Sequence, residues 1–192
     1  MNSFNIYYFK YSINQEFFFS LYAFTIMAQL AAASLYPKCN RYLSASHLFL
    51  LSSVLSTIGM LMLFIFGRIA PNNALLMFLA ASMKQMGSGL FMVSATVDLA
   101  RSIHLSQLET GVYTPAILTS VKLLVAKFTM ALAGLGVGMC LSFSGYISNT
   151  IQTDDTSLRI GLYALILPVF MILLSCYFYV GFKRYLSLKH QP

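Results

Sequence analysis

Three lysines fall inside apolar stretches of this 192-residue chain: Lys84, Lys122 and Lys127. A lysine at the centre of a bilayer costs about 2.5–3.5 kcal/mol on insertion scales. Such a residue is kept where it faces a water-filled cavity, a counter-charge or a charged solute, or where its long stem snorkels to the surface. Lys127 lies close to the middle of Lys122–Leu141, KLLVAKFTMALAGLGVGMCL, and is the first candidate for lining a polar pathway. Lys84, next to Gln85, lies mid-way along another apolar stretch and is the weaker candidate, expected near the same depth. Lys122 precedes Lys127 by five residues, which places it about 140° away around a helix. The two therefore cannot both face one narrow cavity, and Lys122 is better placed to snorkel. Asp98 and Arg101 lie one helical turn apart and can pair, either as a structural contact or as part of a gate.

Catalytic chemistry finds little support. His47, His104 and His190 have no HExxH spacing, there is no GxSxG, and no pair of carboxylates lies within a span. Cys39, Cys140 and Cys176 are far apart and read as small apolar fillers rather than a metal site. No metal or organic cofactor is expected, and the chain reads as a non-enzyme.

The elements that must position these residues follow from composition. The chain is 58% apolar and 9% charged, with a mean hydropathy of +0.75. A soluble domain carries about 25% charged residues. The deficit points to an all-α integral membrane protein whose principal partner is the lipid bilayer. The net charge of +7 then reflects basic loops rather than nucleic acid, for which no motif is present.

Five spans are expected, at about 17–36, 47–67, 74–97, 114–142 and 160–182. Residues 1–16 read as an external aromatic-rich segment and 183–192 as a cytoplasmic tail. Pro37 is expected to end the first span. Residues 102–112 and 145–159 read as polar loops, with Asp154 and Asp155 solvated in the latter. Thr114 reads as an N-cap with Pro115 at the first helical position, and Pro168 as a tolerated kink. Gly134, Gly136 and Gly138 suggest close approach to a neighbouring helix. Six basic residues lie on the side of loop 37–46, loop 98–112 and the C-terminus, against three on the other. The positive-inside rule puts the C-terminus in the cytoplasm and the N-terminus outside, in a multi-pass plasma (inner) membrane protein.

Two stretches resemble a known family. Tyr7-Tyr8-Phe9-Lys10-Tyr11 looks like the aromatic-basic segment that leads from the seventh to the eighth helix of the glycoside–pentoside–hexuronide:cation symporters, a group of the major facilitator superfamily. Thr110-Gly111, followed 16 residues later by Lys127 and then by a small-residue helix ending in Gly145-Tyr146, is similar to that family's eleventh helix. Asp98 is similar to an aspartate at the cytoplasmic end of the tenth. The five spans then resemble helices 8–12.

The resemblance implies a C-terminal half-bundle of a transporter that couples a sugar or glycoside-like solute to Na+ or H+. It implies that Lys127 faces the central cavity and meets carboxylates of an N-terminal half, which here would be separately encoded. Lys122 stands where the family has a neutral polar residue, and Val112 to Pro115 where it commonly has an Arg and a Glu. Lys84 becomes a second cavity charge, with Asp98 and Arg101 at the cytoplasmic closure. Two alternatives stay open: a non-transporting interaction subunit or degenerate remnant, and a lipid or organic-anion transporter of the same fold, which the surplus of lysines would suit.

Overall fold

The computed structural model describes residues 4–13, 16–110, 115–148, 150 and 152–189. Helix dominates because the apolar runs are long and nearly free of breakers, and a backbone in hydrocarbon must satisfy its own hydrogen bonds. A short turn, α1 (Asn5–Tyr7), continues into a π-helical turn, Tyr8–Ser12. There follow α2 (Glu16–Phe24), α3 (Ile26–Tyr42), α4 (Ala45–Ile69), α5 (Ala74–Thr110), α6 (Pro115–Ser144), α7 (Asp154–Gly161), a second π-turn (Leu162–Ile166) and α8 (Leu167–Lys189).

Among the described residues five stretches are long and apolar enough to span a membrane: Phe17–Tyr42, Ala45–Ile69, Ala74–Leu105, Pro115–Ser144 and Asp154–Gly181. Several ends differ from the sequence expectation. Pro37 does not end the first span but lies inside α3. Proline removes one intrahelical hydrogen bond, and the following turn is held because Tyr36 is buried with Ala32, Leu48 and Leu90. Residues 102–110 are helical rather than loop, with no Gly or Pro to stop α5, and the Ser102 hydroxyl bonds back to the Asp98 carbonyl at 2.9 Å. Asp154 and Asp155 open α7 rather than sit in a loop. Thr153 caps that helix by accepting from the Thr156 N–H at 3.4 Å, and two carboxylates in the first turn suit the helix dipole. The π-turn at 162–166 sits just before Pro168, whose missing N–H would have bonded the Ala164 carbonyl. Gly111 and Thr114 lie outside the described residues, as do the side chains of Lys183, Arg184 and Lys189.

The heart of the bundle is α5, packed on α4 and α3. Glycines set the separation. A Cβ at Gly59 would run into the Lys84 backbone, one at Gly87 would lie 2.5 Å from the Ser56 amide, and one at Gly89 would strike the Gln29 carbonyl. This is the small-residue packing by which membrane helices approach closely. The glycines at 134, 136 and 138 behave differently: nothing lies within 4 Å of a Cβ placed there. None of the most apolar stretch of α6 is buried, and α6 touches the rest of the bundle chiefly through α5 and α7. Gly145, with φ of 76°, then ends α6 as the Tyr146 N–H bonds the Leu141 carbonyl at 3.2 Å.

Candidate functional site

Lys84 lies ten residues into α5 and is 3% exposed. Its neighbour Gln85 is 1% exposed. Both are held against α2 by Tyr22. The Lys84 Nζ donates to the Tyr22 hydroxyl at 2.5 Å and also lies 4.9 Å from the centre of that ring. The same hydroxyl accepts from Asn5 Nδ2 at 2.9 Å and donates to Gln85 Oε1 at 3.4 Å. One phenol therefore joins α1, α2 and α5. Among the described residues no carboxylate shares the cluster, and the buried Gln85 Nε2 has no hydrogen-bond partner. Among the described residues the buried amine bonds a neutral hydroxyl beside an amide N–H without an acceptor, which leaves a surplus of donors in one place. Such a place favours an acceptor, whether water, a solute hydroxyl or an anion.

The sequence ranked Lys127 above Lys84, and the structure separates the two. Lys127 is exposed on α6, with no hydrogen bond or ion pair to it among the described residues. Lys122 is also exposed and reaches the Thr96 hydroxyl on α5 at 3.4 Å. Along their helices, Lys84 lies about 15 Å from the 69–74 end of the bundle and Lys127 about 25 Å from the same end, at 1.5 Å per residue. The cluster gathers Lys84 alone.

Asp98 lies at the opposite end. The pairing expected with Arg101 is replaced by another: Asp98 Oδ2 accepts from the Tyr179 hydroxyl of α8 at 3.3 Å, while Arg101 is exposed. The Tyr179 hydroxyl is also 3.4 Å from Ser46 Oγ, and its ring stacks on Phe49 with centroids 4.1 Å apart. This tie holds the start of α4 to α5 and α8.

At the 69–74 end, residues 4–13 are packed into the bundle. Phe4, Asn5, Tyr8, Phe9 and Ile13 are buried. The Tyr8 hydroxyl donates to the Leu63 carbonyl at 2.7 Å, and Ser12 and Ser157 each donate to the other's carbonyl at 2.8 Å. Tyr7 and Tyr11 meet the Tyr146 ring edge-on, with centroids 5.8 and 4.9 Å away. Burial pushes the Tyr8 hydroxyl above its ordinary pKa, with Arg68 opposing. Burial, and behind it Tyr11 and Tyr7, hold Tyr146 up to about 12.

The family model for MFS/sugar transport proteins matches residues 1–183. The chain belongs to this family. Among curated relatives, an uncharacterised symporter of Bacillus subtilis (strain 168), YnaJ, is 26% identical over 178 residues, covering 91% of this chain and 37% of the relative. The isoprimeverose transporter of Lactiplantibacillus pentosus is 26% identical over 148 residues, covering 77% of this chain and 30% of the relative. The chain thus spans about a third of the length of the curated relatives it matches.

In this member of the MFS/sugar transport family the polar cluster combines residues that sequence reasoning singled out with residues it passed over. Lys84 and Gln85 were visible as polar residues in a span. Tyr22 and Asn5 were not, because a tyrosine near a span end reads as an interface anchor and Asn5 as part of a surface segment. A signal was present nonetheless. Asn5, Tyr8, Phe9 and Ser12 recur at the i, i+3, i+4, i+7 spacing of one helical face.

Proposed function

We propose that the chain forms the C-terminal half-bundle of a secondary active transporter that carries a sugar or glycoside-like solute in symport with Na+ or H+. The observation that carries this reading is the match of the MFS/sugar transport model over residues 1–183, joined by a symporter and a sugar transporter among the relatives. The geometry supports it in two ways. A donor-rich cluster built around Lys84 lies within the bundle. A whole helix, α6, is little buried and leaves Lys127 exposed, with Lys122 also exposed and touching Thr96 of α5. Exposed lysines in a span need a counter-charge, and a separately encoded N-terminal half with cavity carboxylates would supply it.

On this reading Lys127 is the cavity charge facing the partner half, Lys84 a buried second charge, and the Asp98–Tyr179–Ser46 tie part of the closure at the cytoplasmic end. Arg101 lies beside that tie without joining it. The N-terminus is then outside and the C-terminus cytoplasmic, as the distribution of basic residues favours. The reaction is translocation, with no bond made or broken, so no enzymatic activity is assigned.

The experiment is co-expression with the N-terminal portion of the Bacillus subtilis relative. Copurification of the two and restored solute uptake support the reading. Copurification with an unrelated membrane complex and no uptake with any half favours an assembly subunit instead. Competition by anionic solutes but not by sugars would move the cargo to organic anions, which the lysines of α6 would also suit.

A further inference from the structure

The segment 5–12 touches two parts of the molecule at once. On its inner side, Asn5 Nδ2 donates to the same Tyr22 hydroxyl that accepts from Lys84. Phe9, 2% exposed, lies against the Tyr22 ring with centroids 5.5 Å apart. On its outer side, Tyr8 bonds the Leu63 carbonyl of α4, and Ser12 exchanges two hydrogen bonds with Ser157 of α7. The segment is one α-turn followed by one π-turn, a winding used in short pieces and often at functional places. Its seats are glycines: a side chain at Gly67 would collide with the Tyr8 hydroxyl, and one at Gly161 would come within 3.0 Å of Ser12 Oγ.

We propose that residues 5–12 are a strap over Lys84, and that water and water-soluble ions reach the Lys84 amine from the 145–157 end only when this strap lifts. Lifting removes Asn5 and Phe9 from Tyr22 in one motion. That uncovers the phenol, and with it the Lys84 amine and the Gln85 amide that the phenol touches. The outer contacts are separate hydrogen bonds to α4 and α7 and ring contacts of Tyr7 and Tyr11 with Tyr146, and they can break without opening the contact of α4 with α5. The Gln85 Nε2, unpartnered while the strap is seated, gains water when it lifts. The strap needs no transport to operate, so it stands or falls apart from the symport reading.

The test uses the full chain in lipid nanodiscs, with Cys39, Cys140 and Cys176 replaced by alanine and Lys84→Cys as the reporter. A charged, water-soluble methanethiosulfonate reagent probes position 84, and labelling is read by mass spectrometry of the peptide that carries it. Ser12→Cys with Ser157→Cys, crosslinked by a short bis-thiol reagent or by oxidation, pins the strap. Pinning is expected to slow labelling at 84 several-fold relative to the same protein before crosslinking. Gly67→Ala pushes on Tyr8 while leaving the sequence of the strap unchanged, and is expected to speed labelling at position 84 several-fold. The crosslinked and uncrosslinked samples are one protein, so the comparison holds even if Gly67→Ala folds poorly. Equal labelling with the strap pinned and free, or faster labelling when it is pinned, would overturn the proposal.

Discussion

The Lys84 amine is bonded to the Tyr22 hydroxyl at 2.5 Å, deep between α2 and α5, with no carboxylate in the cluster among the described residues. Removing either partner has unequal consequences. Tyr22→Phe strands a buried amine, the Asn5 amide and the Gln85 carbonyl together, and is expected to cost about 1–3 kcal/mol. Lys84→Met keeps the volume, leaves Tyr22 bonded to Asn5 and Gln85, and is expected to be neutral or stabilising, as replacing a buried charge by an apolar side chain often is. Thermal melting in one detergent compares them. A larger loss for Lys84→Met than for Tyr22→Phe would contradict this account of the cluster.

Glycines at two places should respond in opposite ways. Gly59→Ala pushes a methyl group into the Lys84 backbone, and Gly87→Ala into that of Ser56. Each is expected to destabilise by about 1–3 kcal/mol, the usual cost of overpacking. Gly136→Ala meets open space and is expected to gain up to about 1 kcal/mol of helix propensity. Heat-induced aggregation midpoints of the three variants separate the cases.

Five spans were readable because long apolar runs leave the backbone few alternatives in lipid. What could not be read was which face of each span meets which neighbour. Lys84 and Lys127 look alike in sequence, each a lysine in an apolar run. One is buried because Gly59 lets α4 close over α5, and the other is exposed because α6 stands apart. Hydropathy carries neither fact. Asp98 and Arg101 were paired on spacing alone, whereas a tyrosine 81 positions away takes the carboxylate. Pro37 was given too much weight, since burial of Tyr36 outlasts one lost hydrogen bond. Residues 4–13 read as external from their aromatic content, yet Asn5, Tyr8, Phe9 and Ser12 share the helical spacing of a face able to be buried.

The tie at the other end of the bundle gives a smaller effect. Tyr179→Phe keeps the stack on Phe49 and loses the hydrogen bonds to Asp98 and Ser46. A loss of about 0.5–1.5 kcal/mol is expected, with faster amide exchange at the start of α4. Arg101→Ala should leave that exchange unchanged.

The strap end should weaken in alkali. A tyrosine whose pKa is raised by folding favours the protonated state in the fold, so its contribution is complete below its unfolded pKa of about 10 and is lost as pH climbs through the folded value. Tyr8 is raised and Tyr146 is held up to about 12. Stability should therefore be flat on this account from neutrality to about pH 10 and fall above it. Ultraviolet titration of tyrosinate in parallel with melting checks the sign, and Tyr146→Phe should flatten the alkaline limb.

The central claim is cation-coupled solute symport, and gradient-driven uptake tests it most directly. Vesicles carrying this chain together with the N-terminal portion of the Bacillus subtilis relative are loaded with a defined cation gradient and offered a panel of labelled sugars and glycosides. The account predicts accumulation that disappears when an ionophore collapses the gradient and is absent with Lys127→Ala. Accumulation that persists without any cation gradient, or is untouched by Lys127→Ala, would contradict it.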